Sequence, residues 1–273
     1  MSDDLARRIT LLERQIEFLG AGNSVDDPFV NAIARGVSYV QGLPALRAYW
    51  PMNVLNSSGD ILDISGAGIT LTRTATLMEA AAVVRRGLFF NGTTAYLRRA
   101  DGADVDYSGD NSTLTGVAGR RGLTISAWIR PSALSSQQGI VTKWVGGGNL
   151  SYVLQIPTAA QTQVRAAVSV DGTAETSVLH PTTMSINTYY HVVLRFAKST
   201  SMDVFVDGVK ESNTTSIPAS IYNGTAQLNI GARASGTADF YNGYMSDVFV
   251  SDAALLDDTI VDYYNLTAPM YKQ

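Results

Sequence analysis

Residues 123–130 alternate. Leu123, Ile125, Ala127 and Ile129 fall on one face of an extended chain and Trp128 on the other, because successive side chains of a strand point to opposite sides. Short segments of this kind recur down the chain. Residues 163–170 and 190–196 read as strands, and 202–209 reads as a hairpin whose Asp207-Gly208 pair supplies the positive φ values of a type I′ turn. Further strands fall near 69–72, 87–91, 94–98, 139–144, 151–156, 173–179, 226–231 and 243–250. Roughly a dozen short strands with turn signals between them predict a sandwich or jelly roll. Residues 253–265 read as a short closing helix with Leu255, Leu256, Ile260, Val261 and Tyr264 on its buried side. Residues 76–86 fit either a helix or a long loop.

Composition narrows the function classes. The 273 residues include no cysteine, which excludes thiolate zinc sites, iron–sulfur clusters, thiol catalysis and a disulfide scaffold. A formal net charge of −4 argues against nucleic acid as a partner, because phosphate binding needs a clear basic patch. Charged residues make up only 16%, and Gly, Ser, Thr and Asn fill the gap, as suits strands and tight turns. No apolar run is long enough for membrane insertion. Met1-Ser2-Asp3-Asp4 has no basic n-region and no apolar h-region, so a secretion signal is not expected. That leaves a processed chain, an intracellular one, or one released by lysis as virion proteins are.

The chain divides into 1–20, 21–45 and 46–273. In the first part Leu5, Ile9, Leu12, Ile16 and Leu19 are spaced 4, 3, 4, 3, the rhythm of a coiled-coil seam. With Ile9 and Ile16 at a, Arg8 falls at g and Glu13 at the following e, where a parallel partner would bring the opposite charges together. The segment either self-associates, as a dimer or a trimer, or docks as an amphipathic helix on its own domain, since an isolated helix this short is marginal in water. In the second part Asp27-Pro28 reads as an N-cap with proline at the first helical position. Phe29, Ile33, Val37 and Val40 then form one apolar stripe, ended by Gly42 and Pro44.

The third part carries a resemblance. Ala48-Tyr49-Trp50-Pro51-Met52-Asn53 and the turn Ser65-Gly66-Ala67-Gly68 resemble the opening of laminin-G-like, concanavalin A-like domains. Gly87-Leu88-Phe89-Phe90-Asn91-Gly92 with Tyr96-Leu97, then Leu123-Thr124-Ile125-Ser126-Ala127-Trp128-Ile129-Arg130-Pro131, are similar to the family's strands. His191-Val192-Val193-Leu194, the Asp207-Gly208 hairpin, Leu228-Asn229-Ile230-Gly231 and Gly243-Tyr244-Met245-Ser246-Asp247-Val248 follow in order. The resemblance implies an all-β fold of two packed antiparallel sheets in a jelly-roll sandwich. It does not fix function, since the family includes lectins, glucan hydrolases, adhesion modules and structural domains.

Hydrolysis is disfavoured. Glucanases of this fold carry E-x-D-x-E on one strand, and two carboxylates must flank the sugar ring. The glutamates here are Glu13, Glu17, Glu79, Glu175 and Glu211, none with an acidic neighbour two positions away. His180 and His191 have no serine and acid placed with them by any motif. No cofactor is required. Calcium is compatible with the fold, through Asp60, Asp63, Asp101 and Asp104 at a sheet rim. However, the family's acidic residues after the "F-x-G" strand are here Thr93, Thr94 and Ala95, and the four aspartates read equally well as turn formers. Glycan contacts are expected from loop aromatics beside polar groups: Trp144 with Asn149, Tyr222 with Asn223, and Asp239 with Tyr241 and Asn242.

The expected function is that of a non-catalytic, lectin-like surface module, oligomeric through its N-terminal helix and displayed on a virion surface or appendage, where it binds host glycans. The alternative is a bacterial extracellular or cell-surface adhesin. Light scattering of the intact chain at micromolar concentration is expected to show a dimer or trimer, and Leu12→Asp to give a monomer. A monomeric intact chain would sink the free-standing coil.

Overall fold

The computed structural model describes residues 28–75, 78–79, 87–108, 121–158 and 162–272. The heptad residues Leu5, Ile9, Leu12, Ile16 and Leu19 lie outside the described residues. Helix α1 (Pro28–Gln41) begins at the proline read as its first residue. It ends at Gly42, whose N–H reaches the carbonyls of Ser38 and Tyr39.

Two antiparallel sheets follow. The first has eight strands among the described residues: β1 (Leu46–Trp50), β3 (Met78–Glu79), β4 (Leu88–Asn91), β6 (Gly122–Pro131), β11 (Tyr190–Ala197), β12 (Ser201–Val206), β13 (Val209–Asn213) and β15 (Asn242–Ser251). Their order is β13-β12-β11-β6-β15-β4-β3, with β1 also paired to β15. The second has seven: β2 (Thr72–Arg73), β5 (Leu97–Arg99), β7 (Gln138–Val145), β8 (Asn149–Ile156), β9 (Arg165–Ser169), β10 (Glu175–Leu179) and β14 (Leu228–Ile230), ordered β10-β9-β8-β7-β14-β5-β2. Within 76–86, Met78 and Glu79 pair as strand with Phe89 and Leu88, not as helix.

The alternation in β6 places the chain in this sandwich. Leu123, Ile125, Ala127 and Ile129 join the core between the sheets, with Val192, Leu194, Phe196, Met202 and Val204 from β11 and β12. Trp50 is fully buried there, its indole N–H donating to the Ile69 carbonyl at 2.7 Å. The other face of β6 is also covered. Trp128, Val193, Phe205 and Phe249 pack against α1 and the closing helix α2 (Asp257–Tyr271) through Val37, Val40, Ile260, Tyr263 and Tyr271. The Tyr271 ring stacks on Trp128 with centroids 4.2 Å apart.

The closing helix starts later than 253 and runs further. Leu256 is its N-cap, with extended backbone, and is 46% exposed, so it does not join the buried side. That side is Ile260, Tyr263, Thr267, Met270 and Tyr271, because starting the helical register at Asp257 rotates Val261 and Tyr264 to half-buried positions.

Several polar groups under the helix are paired, as burial favours. The indole N–H of Trp128 donates to Thr267 Oγ1 at 3.1 Å. Asp247 occupies a bulge of β15 with φ 45°. Its carboxylate accepts from Tyr49 Oη at 2.9 Å and Tyr271 Oη at 2.5 Å. Arg195 ties the helix start down by donating to Asp203, to the Leu255 carbonyl and to Asp257. Tyr271→Phe is expected to cost about 1–3 kcal/mol, since it deprives a buried carboxylate of one donor, and chemical denaturation measures it. An unchanged midpoint would show that the hydroxyl contributes nothing to docking α2.

Candidate functional site

Three turns meet at one end of the seven-stranded sheet. The first is the β7–β8 hairpin, where Gly147 (φ 79°) and Gly148 (φ 96°) adopt left-handed backbone that glycine alone takes without strain. Nothing lies within 4 Å of where side chains would start at Gly146, Gly147 and Gly148, so this tip is open. The second is the turn 170–174 after β9. The third is the loop 222–226. Asn149 Oδ1 accepts from the backbone N–H and the hydroxyl of Thr225, at 3.0 and 3.2 Å. The Tyr222 N–H donates to the Ser169 carbonyl at 2.7 Å, and the Leu150 N–H to the Gly172 carbonyl at 3.1 Å. A side chain at Gly172 would start 2.8 Å from Tyr222 Cε1. Asp171 organises its turn by accepting from the N–H groups of Thr173 and Ala174, which hold its carboxyl down to about 2.

Beneath this rim Lys143 is 1% exposed. Its Nζ lies 2.5 Å from Asp101 Oδ1, 2.5 Å from the Gly224 carbonyl, 2.6 Å from the Ala226 carbonyl and 3.2 Å from Asp106 Oδ1. The lysine therefore joins the loop 101–106 to the loop 222–226 under the hairpin that follows it. A lysine within Ile140-Val141-Thr142-Lys143-Trp144 was a legible signal, since a cation in a buried strand needs counter-charges.

Of the residues expected to touch glycan, Trp144, Asn149, Tyr222 and Asn223 come together here. Trp144 is only 3% exposed and packs on Val153, Ala167 and Leu150, so it supports the rim and offers no face to a ligand. Tyr222 is half-buried and Asn223 exposed. Asp239, Tyr241 and Asn242 lie elsewhere. The Asp239 carbonyl accepts from Gly139, at the opposite end of β7, about 16 Å from Trp144 at the usual strand rise. Tyr241 is fully buried with its ring on Phe90. Asp239 pairs with Arg233 at 3.2 Å, and Asn242 is held by Gln138 Oε1 at 2.8 Å from its N–H.

The aspartates expected at a calcium rim are dispersed. Asp60 accepts from the Arg73 N–H, and Asp63 from the N–H groups of Tyr49, Ser65 and Ile69. Asp104 pairs with Arg99 at 2.6 Å, and Asp101 with Lys143. Among the described residues no group of three or more His, Asp or Glu side chains could hold a metal ion. After the "F-x-G" strand, Asn91 Oδ1 accepts from the N–H groups of Thr93, Thr94 and Ala95, closing the turn.

The two-sheet sandwich is that of a known superfamily. Residues 91–261 match the concanavalin A-like lectin/glucanases superfamily, laminin G type, and the chain belongs to it. No curated protein sequence matches it. Among solved structures it is similar to the receptor binding domain of botulinum neurotoxin C/D mosaic serotype: TM-score 0.60, 11% identity, 81% of this chain and 51% of that one. The botulinum neurotoxin serotype D ligand binding domain in complex with N-acetylneuraminic acid gives 0.60, 11%, 84% and 52%. The binding domain of Paraclostridial Mosquitocidal Protein 1 gives 0.61, 13%, 81% and 52%. The chain thus spans about half the length of these structures, and at such identity the likeness is one of fold. No helix among the described residues is long and apolar enough to cross a membrane.

One pairing went unseen in the sequence. Ser126 Oγ and His191 Nε2 are 2.7 Å apart, on neighbouring strands β6 and β11. Both residues are fully buried, and His191 is enclosed by Trp128, Tyr263 and Tyr264. His191 Nδ1 has no hydrogen-bond partner, so no acid orients the ring as in a triad. Burial, and secondarily the Lys272 charge, pushes the imidazole down to about 3 from 6.5. The folded form holds it neutral, whereas the unfolded chain takes up a proton near 6.5. Its contribution is therefore complete above pH 6.5 and is lost as pH falls towards 3. By pH 5 the loss is about 2 kcal/mol. Denaturation curves at pH 7 and pH 5 are expected to show a drop larger by about that amount than in His191→Gln. Equal drops would mean the histidine is not the group responsible.

Proposed function

We propose that the chain is a non-catalytic, lectin-like module that binds glycans through the rim of 145–149, 170–174 and 222–226. The observation that carries this reading is the open glycine tip set beside half-buried Tyr222 and exposed Asn223, Thr173 and Thr225. An aromatic face beside amide, hydroxyl and free backbone groups is what a sugar ring and its hydroxyls require. Superfamily membership supports it, as does a solved structure of similar fold that holds N-acetylneuraminic acid.

The non-catalytic part rests on the carboxylates. Asp101 and Asp106 share Lys143, and Asp203 and Asp257 share Arg195. Neither pair is free to serve as acid and nucleophile across a glycosidic bond. For the setting, we read the heptad segment 1–20 as an anchor that gathers two or three copies on a virion surface or appendage, where weak sites gain avidity. The receptor and ligand binding domains among the similar folds favour a second setting, an extracellular or cell-surface adhesin.

The test is binding of the intact protein to a broad glycan panel, with calcium and then with EDTA. Binding that persists in EDTA, and falls at least tenfold in Tyr222→Ala and Asn223→Ala but not in Asp239→Ala, is expected. No binding by folded protein would overturn the lectin reading and leave a structural decoration role. Binding abolished by EDTA would move the site to a calcium-dependent rim.

A further inference from the structure

We infer that the Lys143 ammonium is the built-in cation of the binding rim, a positioning residue that orders the rim loops with no divalent ion. Its surroundings are two carboxylate oxygens and two main-chain carbonyls, all at 2.5–3.2 Å from Nζ. That is an oxygen cage of the chemistry hard cations select, with the cation supplied by the chain itself. The three N–H donors of an ammonium match three of the four oxygens: Asp101 Oδ1 and the carbonyls of Gly224 and Ala226. The fourth, Asp106 Oδ1, is buried, accepts no hydrogen bond and faces the charge alone.

The cage draws on separate parts of the chain. Asp101 and Asp106 come from the loop after β5, Gly224 and Ala226 from the loop before β14, and Lys143 from β7. The loop 222–226 carries Tyr222 and Asn223. Its other ties to the sheet are neutral hydrogen bonds: Asn149 with Thr225, Ser151 Oγ with the Gly224 N–H at 3.3 Å, and the Tyr222 N–H with the Ser169 carbonyl at 2.7 Å. Charge-assisted bonds are stronger than neutral ones, so the lysine is the principal clamp on that loop. A carbonyl whose cation is withdrawn must find another donor or turn outward to water.

The experiment compares the intact wild type with Lys143→Met, which keeps an unbranched apolar stem and removes the terminal charge. Hydrogen exchange is read by mass spectrometry, with calcium and with EDTA. In the wild type, exchange of 101–106 and 222–226 is expected to be the same in both buffers. In Lys143→Met those two segments exchange at least tenfold faster, while β6 and β11 stay protected, and glycan binding weakens with them. Should Lys143→Met fail to fold, Asp101→Ala decides, because Asp101 is partly exposed and its loss leaves three cage oxygens. It is expected to loosen the same two segments by a smaller factor. Unchanged exchange in these segments in the folded variant, or calcium-dependent protection of them in the wild type, would overturn the inference. The inference rests on the lectin reading only for its binding arm: faster exchange with no glycan bound by any form would sink that reading and leave the internal cation standing.

Discussion

The central strands of the eight-stranded sheet are buried on both faces, and the rest of the architecture follows from that. β6 presents Leu123, Ile125, Ala127 and Ile129 to the second sheet and Trp128 to the helices. A sandwich needs apolar residues on one face of each strand only. Here the second face is apolar as well, through Trp128, Val193, Phe205 and Phe249, so α1 and α2 must cover it. Once it is covered, Trp128, Asp247 and Ser126 must find their partners within the protein. The Trp128–Thr267 bond, the two tyrosine hydroxyls on Asp247 and the Ser126–His191 pair meet that need. What resembles a catalytic pairing is thus a consequence of the third layer.

Most of the fold was legible because period-two alternation is a local signal. The strand at 123–130, the hairpin at 202–209 and the helix start at Pro28 all depend on residues within a few positions of one another. The boundary of the closing helix was not legible, since Leu256 is apolar yet serves as an extended cap. The site was only half legible. Loop composition marked Trp144, Asn149, Tyr222 and Asn223, and the fold brings them together. The same rule marked Asp239, Tyr241 and Asn242, which belong to the other end of the sheet, because composition carries no information about which end of a strand a loop caps.

Lys143 shows where local reading stops. Its hydrogen-bond partners are 42 and 81–83 residues away, and local sequence suggests calcium for Asp101 and Asp104. Burying an ammonium costs several kcal/mol, which partners at good geometry repay only in part. An apolar residue at this position would avoid that cost and keep the strand packed. It could not hold one loop by its carboxylates and the other by its carbonyls. The charge is therefore better understood as fixing the loops' conformation than as adding to stability.

The placement of the covered face also bears on display. The helices occupy the outer face of the eight-stranded sheet, so that face is closed to a ligand over Trp128 and Phe249. The rim lies at the end of the seven-stranded sheet, across the sandwich core from those helices. A rim on the opposite sheet from the helices is displayed clear of α1 and α2. On the proposed reading, a rim fixed by an internal ammonium favours binding, since rigid loops lose less conformational entropy at each contact.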